Sequence, residues 1–274
     1  MESMRDALPP KGMLGPSSRD GAGWRRLLVA TNGFAEATRR VFYPPACVAC
    51  GAATEGDWNL CGPCWREAGF LAGTLVCDAC GVPLPGRDDG TEGTLCDDCL
   101  RRPRPWSRGR AALPYRGPGR ALVLALKHAD RTDLAKPLGL WLATAARPLL
   151  LPGQVLVPVP LHWTRLLLRR QNQAQLLARE AGRTLGLPVL PDALLRRRAT
   201  RSLDREGREA RAKAMEGAIA PHPWRGRDLQ GRPVLLVDDV MTSGATLSAA
   251  ALAARAAGAT DVRILVVARA LLEP

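Results

Sequence analysis

Apolar runs and helical periodicities alternate through the last two thirds of the chain. Residues 234–237 are four consecutive apolar positions between a proline and two acids, as expected of a buried strand; 155–159 reads as a strand that stops at Pro158 and Pro160, and 262–268 is a further strand candidate. Shorter strand candidates lie at 110–115, 187–195 and 217–220. Between them, 117–128, 134–149 and 164–185 carry helical spacing, and a further helix opens after Gly244. Strands alternating with helices predict an α/β fold with a mostly parallel sheet flanked by helices. Upstream, Trp24, Leu27, Leu28, Phe34, Ala37 and Val41 fall at the spacing of an amphipathic helix over 23–45, weakened at Asn32-Gly33 and ended by Tyr43-Pro44-Pro45. Residues 1–22 are polar, rich in Pro and Gly, and expected to be a disordered extension.

The run at 234–237 ends in Asp238 and Asp239, and a Thr242-Ser243-Gly244-Ala245-Thr246 turn then leads into the helix. In open α/β sheets ligands bind at the carboxyl ends of strands, where a helix N-terminus offers N–H groups and a partial positive charge to a phosphate. The hydroxyls of Thr242, Ser243 and Thr246 can donate to phosphate oxygens, and Gly244 has no Cβ to hold the backbone away from the anion. Asp238 and Asp239 would repel a phosphate at close range, which suits them instead to neighbouring ribose hydroxyls or to Mg²⁺ in its water shell. A buried strand with an acidic turn and a helix cap accounts for each feature singly, but poorly for all of them in this order.

This segment resembles the signature of the type I phosphoribosyltransferases. The resemblance implies phosphoribosyl pyrophosphate with Mg²⁺ as ligand, the paired acids on its ribose hydroxyls, and residues 242–246, Ala245 included, around its 5′-phosphate. It does not identify an acceptor.

All eight cysteines lie between residues 47 and 99 as four CxxC pairs: Cys47/Cys50, Cys61/Cys64, Cys77/Cys80 and Cys96/Cys99. One CxxC turn points two thiolates at an ion, and two turns complete a tetrahedral sulfur shell with no position left for water, the chemistry of structural zinc. Gly51 and Gly81 each follow a pair, as in zinc knuckles, and the linkers are too poor in apolar residues for 46–100 to fold on a core of its own. Disulfides suit a secreted chain, whereas residues 1–20 lack a signal-peptide core, so two structural Zn²⁺ are expected. Two sequential sites are the simplest pairing; spacing leaves a cross-braced one open. No thioredoxin-like pattern surrounds any CxxC, which argues against redox catalysis.

Composition adds bounds. With 274 residues and 46% hydrophobic content the chain can build one sizeable domain and a small module. No apolar run is long enough to cross a bilayer, and a cytoplasmic location is expected. The net charge of +13 is concentrated: residues 101–232 hold 27 Lys and Arg against 9 Asp and Glu. Such a field favours polyanions such as single-stranded DNA, RNA or pyrophosphate esters, and it equally describes the solvated basic face of an Arg-rich protein. Within it, 101–107 reads as a Pro/Arg linker. Residues 196–213, with Arg196, Arg197, Arg198 and Arg201 among them, read either as a cationic flap over a pyrophosphate leaving group or as a solvated helix.

Taken together the motifs resemble the ComF family of competence-associated proteins, a zinc-ribbon module (46–100) followed by a phosphoribosyltransferase-like domain (108–274). The matching residues are Tyr43-Pro44-Pro45-Ala46-Cys47 with the later cysteines, Leu126-Lys127-His128, the turn from Val157 to His162 with Arg165, Asn172-Gln173-Ala174, Leu177-Ala178-Arg179, Arg198 to Thr200, and the acidic signature. By resemblance, His162 and Arg165 would contact the pyrophosphate. Two departures stand out: Arg170-Gln171 replace a glycine and an aromatic before Asn172, and the glutamine and Arg-x-x-Asn element usual after Thr200 are not found. The resemblance implies handling of single-stranded DNA in DNA uptake and natural transformation, together with other uptake proteins. The alternative is an active phosphoribosyltransferase, a glycosyltransferase acting on a nitrogen acceptor. No N-terminal glutaminase domain is present, which disfavours amidotransfer, and no base stands out among the side chains. Stacking aromatics beyond the zinc module are few: Trp106, Tyr115, Trp141, Trp163 and Trp224.

Overall fold

Four parallel strands in the order β1-β6-β5-β2 form the central sheet of the computed structural model, which describes residues 44–88, 90, 93–128, 131–199 and 208–271. They are β1 (Arg108–Pro114), β2 (Val155–Pro158), β5 (Pro233–Met241) and β6 (Asp261–Arg269). β3 (Leu194–Arg196) and β4 (Ile219–Pro221) pair antiparallel as a separate two-stranded sheet. The expectations for 1–22 and 23–45 fall, apart from Pro44 and Pro45, outside the described residues, as do 200–207 of the flap segment.

The apolar runs predict the sheet because both its faces are covered. Along β5, Val234 and Leu236 enter one core while Leu235 and Val237 enter the other, and β6 alternates likewise through Ile264 and Leu265. On one face lie α3 (Gly117–His128), α4 (Ala135–Ala146) and α6 (Gln173–Leu185); α8 (Ala245–Ala256) covers the other. The short helices α1 (Gly62–Ala68) and α2 (Asp97–Arg101) belong to the cysteine module, and α7 (Arg208–Met215) closes the flap segment.

Two expected elements are corrected. The helix expected over 164–185 is two helices, α5 (Trp163–Arg169) and α6, because Arg170 adopts a left-handed conformation (φ 58°) and Asn172 caps α6 by accepting the Ala174 N–H at 3.1 Å. The strand expected over 187–195 is split: Val189 makes one parallel bridge to Leu156, and only the end of the run enters β3.

The cysteine module is built onto the sheet. Cys77, Cys80 and Cys99 are buried in the same core as β5 and α8, and the Gly109 N–H of β1 donates to the Asp78 carbonyl at 2.7 Å. Approach is close enough that a Cβ on Gly109 would lie 2.5 Å from the Ala79 carbonyl oxygen. Asp78 holds the junction with Arg110 at 2.5 Å, Arg108 at 3.2 Å and the Gly93 N–H at 2.5 Å. Burial alone would raise the Asp78 carboxyl, but these donors outweigh it and keep it below the ordinary range. Within the Pro/Arg stretch 101–107, whose first three residues are exposed, Trp106 is packed: it is 3% exposed and its indole N–H donates to the Ala79 carbonyl at 2.6 Å.

Candidate functional site

β5 outruns its neighbour. β2 ends at Pro158 opposite Val237, the Val159 N–H donates to the Val237 carbonyl at 2.9 Å, and Pro160, which has no N–H, ends the pairing. From Asp238 onward β5 is paired to β6. The two acids thus sit where the sheet opens at the carboxyl ends of its strands. Asp238 Oδ1 accepts the Asp239 N–H at 2.9 Å, and Lys127 Nζ, on the last turn of α3, lies 3.0 Å from Asp239 Oδ1. Burial, and then the adjacent Asp239 charge, push the Asp238 carboxyl up to about 7, against the pull of the Asp239 N–H, Lys127 and Arg196.

A cavity of about 510 Å³ opens over these groups. It is lined by Asp238, Asp239, Thr242 and Thr246, by Arg120 and Lys127 of α3, and by Arg196 of β3. Pro160, Leu161 and Asn172 complete it, and the Asn172 amide donates to the Val159 carbonyl at 3.2 Å, which ties the α6 cap to the turn after β2. Two carboxylates beside hydroxyls and three cations suit a ligand with vicinal hydroxyls, several anionic oxygens and a divalent ion: the acids accept from hydroxyls or from metal-bound water, and the cations face the phosphates. Mg²⁺ fits this donor set of hard oxygen ligands.

Of the other expected residues, Ser243, Gly244, Ala245 and His162 are not among those lining this cavity. Gly244 caps α8 in a left-handed conformation (φ 82°), and Ser243 Oγ accepts the Ala245 N–H at 3.4 Å. Ser243 and Ala245 line a second, larger groove, about 950 Å³, bounded by α7, α8 and Arg104. His162 is 6% exposed and caps α5, its Nδ1 lying 2.8 Å from Thr164 Oγ1 and 3.3 Å from the Thr164 nitrogen, while the adjacent Leu161 lines the cavity. Arg165 is on the first turn of α5, and its side chain lies outside the described set. Arg120 was not anticipated. Its signal is a cation in the first turn of a helix, where the dipole disfavours positive charge unless an anion is near.

The cysteines group as Cys47, Cys50, Cys61, Cys64 and as Cys77, Cys80, Cys96, Cys99, with the four sulfurs of each set within 4.8 Å of one another. This is the sequential pairing. The Cys50–Cys61 and Cys80–Cys96 sulfurs are 3.6 and 3.7 Å apart, against an edge of about 3.8 Å for a tetrahedral shell with Zn–S near 2.3 Å, so both sets fit zinc. Gly51 and Gly81 take positive φ and donate to the Cys47 and Cys77 carbonyls at 2.9 and 2.8 Å, closing the two CxxC turns.

A family model described as a double zinc ribbon domain matches residues 38–100. Competence protein F of Haemophilus influenzae is 29% identical over 241 residues, covering 84% of this chain and 99% of that protein. The DNA utilization protein YhgH of Escherichia coli O157:H7 is 30% identical over 223 residues, covering 79% of this chain and 92% of the relative. The chain belongs to the ComF family. YhgH of Salmonella typhi, at 29% identity over 221 residues, is a further relative of this ComF chain. The family's two parts are both present here, the zinc-ribbon module and a mixed α/β domain with a parallel sheet flanked by helices. Among the described residues of this ComF member, no helix is long and apolar enough to cross a membrane.

Proposed function

We propose that this chain binds phosphoribosyl pyrophosphate with Mg²⁺ at the carboxyl end of β5 and handles single-stranded DNA in the cytoplasm during DNA uptake. One observation carries the ligand reading: Asp238 and Asp239 share a cavity with Thr242, Thr246, Lys127, Arg120 and Arg196. Ribose hydroxyls suit the acids, the 5′-phosphate suits the loop, and the pyrophosphate suits the cations. Bound Mg²⁺ would neutralise pyrophosphate charge, with Asp238 and Asp239 reaching it through its water shell.

The DNA arm is supported by the names of the relatives, DNA utilization protein and Competence protein F, and by the basic span 101–232. Two aromatic faces are available for base stacking: Trp163, 63% exposed and two residues from the cavity wall at Leu161, and Trp224, 73% exposed with the Arg227 guanidinium 5.8 Å from its ring centre.

Calorimetric titration with phosphoribosyl pyrophosphate and Mg²⁺ tests the pocket. Binding is expected, and it should vanish in the Asp238→Ala, Asp239→Ala double variant; equal affinity in both proteins refutes the assignment. Single-stranded DNA should bind with an affinity that falls steeply with salt, and no binding at low salt removes the DNA arm. A second reading is an active phosphoribosyltransferase, in which the same cavity would position the ribose while Arg120, Lys127 and Arg196 neutralise the pyrophosphate leaving group. Product analysis with a panel of nitrogen acceptors tests it.

A further inference from the structure

Behind the loop at 242–246, two arginines hold three consecutive carbonyls. Arg269, at the end of β6 and 1% exposed, donates from Nη1 to the Met241 carbonyl at 3.0 Å and the Thr242 carbonyl at 2.8 Å, and also to Ala270 at 2.8 Å. Arg104, from the stretch joining ribbon and sheet, donates from Nη1 to the Ser243 carbonyl at 3.0 Å. In a trans peptide the C=O and N–H point in opposite directions, so anchoring these carbonyls turns the N–H groups of Thr242, Ser243 and Gly244 away from the arginines.

Arg104 touches the second cysteine set directly, and Arg269 acts on it through its charge. Arg104 Nε donates to Cys99 Sγ at 3.5 Å while its Nη2 pairs with Asp98 at 2.6 Å, and Arg269 acts electrostatically on Cys80. Arg269 Nε is buried with no hydrogen-bond partner among the described residues. A buried guanidinium is costly without a counter-charge, and Zn²⁺ with four thiolates carries a net charge of about −2. Trp106 completes the contact: its ring would lie 3.3 Å from a Cβ placed on Gly244, and its indole donates to the carbonyl of Ala79, within the Cys77/Cys80 turn.

We propose that the second zinc ribbon is the support of the phosphate loop, its tetrathiolate serving as counter-ion to Arg104 and Arg269, which act as positioning residues that aim the loop's N–H groups at a ligand phosphate. The role of the loop rests on the ligand reading above; the mechanical brace does not. The first ribbon packs on the opposite face of the sheet, with α3, and among the described residues no arginine links its cysteines to the loop.

The test uses the full-length zinc-loaded protein and two independent readouts. In Arg104→Ala, hydrogen exchange at the amides of 242–246 should accelerate about tenfold in the absence of ligand, the loss expected for one charge-assisted hydrogen bond. Affinity for ribose 5-phosphate should fall about tenfold, affinity for Mg²⁺-pyrophosphate should change less than about twofold, and Arg104→Lys should recover part of the loss. Cys96→Ser should reproduce the faster exchange and Cys50→Ser should not. Unchanged exchange in Arg104→Ala with two zinc ions retained, or equal effects from the two cysteine variants, overturns the brace. If Arg104→Ala does not fold, the cysteine pair decides. Failure of the wild-type protein to bind any ribose 5-phosphate ligand refutes the pocket instead, and the exchange result still stands on its own.

Discussion

Lys127 Nζ and Asp239 Oδ1 are 3.0 Å apart in the lining of the cavity, with 20% and 14% of the two side chains exposed. The pair does more than tether α3 to β5, because the lysine charge also favours ionisation of the neighbouring Asp238. In Lys127→Met the two acids lose that cation, so the Asp238 carboxyl should titrate above its wild-type value of about 7. Carbon NMR of labelled aspartate carboxyls reads this directly. An unchanged or lowered titration midpoint would show that Lys127 is electrostatically idle.

Asp238 also sets a pH dependence. Its folded value of about 7 lies above the unfolded carboxylate value near 3.9, so the ligand-free protein loses stability as pH rises between the two and has lost the full amount above about 7. Asp238→Asn should therefore raise the Tm at pH 8 and have no effect below about pH 4, where the wild-type carboxyl is protonated in both states. Ligands that need the ionised acid should bind more tightly as pH rises, by up to about tenfold per pH unit below 7, and level off above 8. Thermal melts and titrations from pH 4 to 9 check both signs.

The strand at 234–237 and its two acids were legible because a parallel strand covered on both faces must be apolar throughout, and carboxylates at its end have few structural uses. The helix break at Arg170 was half legible: Asn172 is a cap residue, but the left-handed Arg170 has no signal in its side chain. Arg104 illustrates what was hidden. Its contact with the Ser243 carbonyl spans 139 residues, and nothing local marks one arginine of a Pro/Arg stretch as packed. Cysteine pairing was open for the same reason, since spacing fixes which thiols share a turn and only the fold fixes which turns share an ion.

The two zinc sites should differ in what they stabilise. Cys80 is 1% exposed in a core shared with β5, β6 and α8, whereas Cys50 is exposed. The wild-type protein should carry two zinc ions, and each of Cys50→Ser and Cys80→Ser should carry one. Cys80→Ser should cost upwards of about 4 kcal/mol, because a polar group and a lost metal then disrupt the sheet core, and Cys50→Ser about 1–2 kcal/mol. Metal analysis with denaturant unfolding measures both, and equal destabilisation would mean that the deeper burial of Cys80 adds nothing to the loss of its zinc.

Gly244 is the point at which loop, helix and ribbon support meet. Its φ of 82° is unfavourable for any residue with a Cβ, and that Cβ would lie 2.8 Å from Met241 Cε and 3.3 Å from both Arg104 Nη1 and the Trp106 ring. Met241 is 1% exposed, so its methyl has little room to retreat. Gly244→Ala should cost about 1–3 kcal/mol from backbone strain and crowding together. The strain falls on the first peptide of α8, so affinity for a phosphate ligand should drop even where the variant is fully folded. Gly244→Ala should also weaken the Arg104 contact, whereas a change on the exposed face of α8, such as Leu252→Ala, should leave ligand affinity alone. Calorimetry at a temperature where all three proteins are folded separates these effects: a Gly244→Ala protein that binds like the wild type would place the ligand phosphate elsewhere than at residues 242–246.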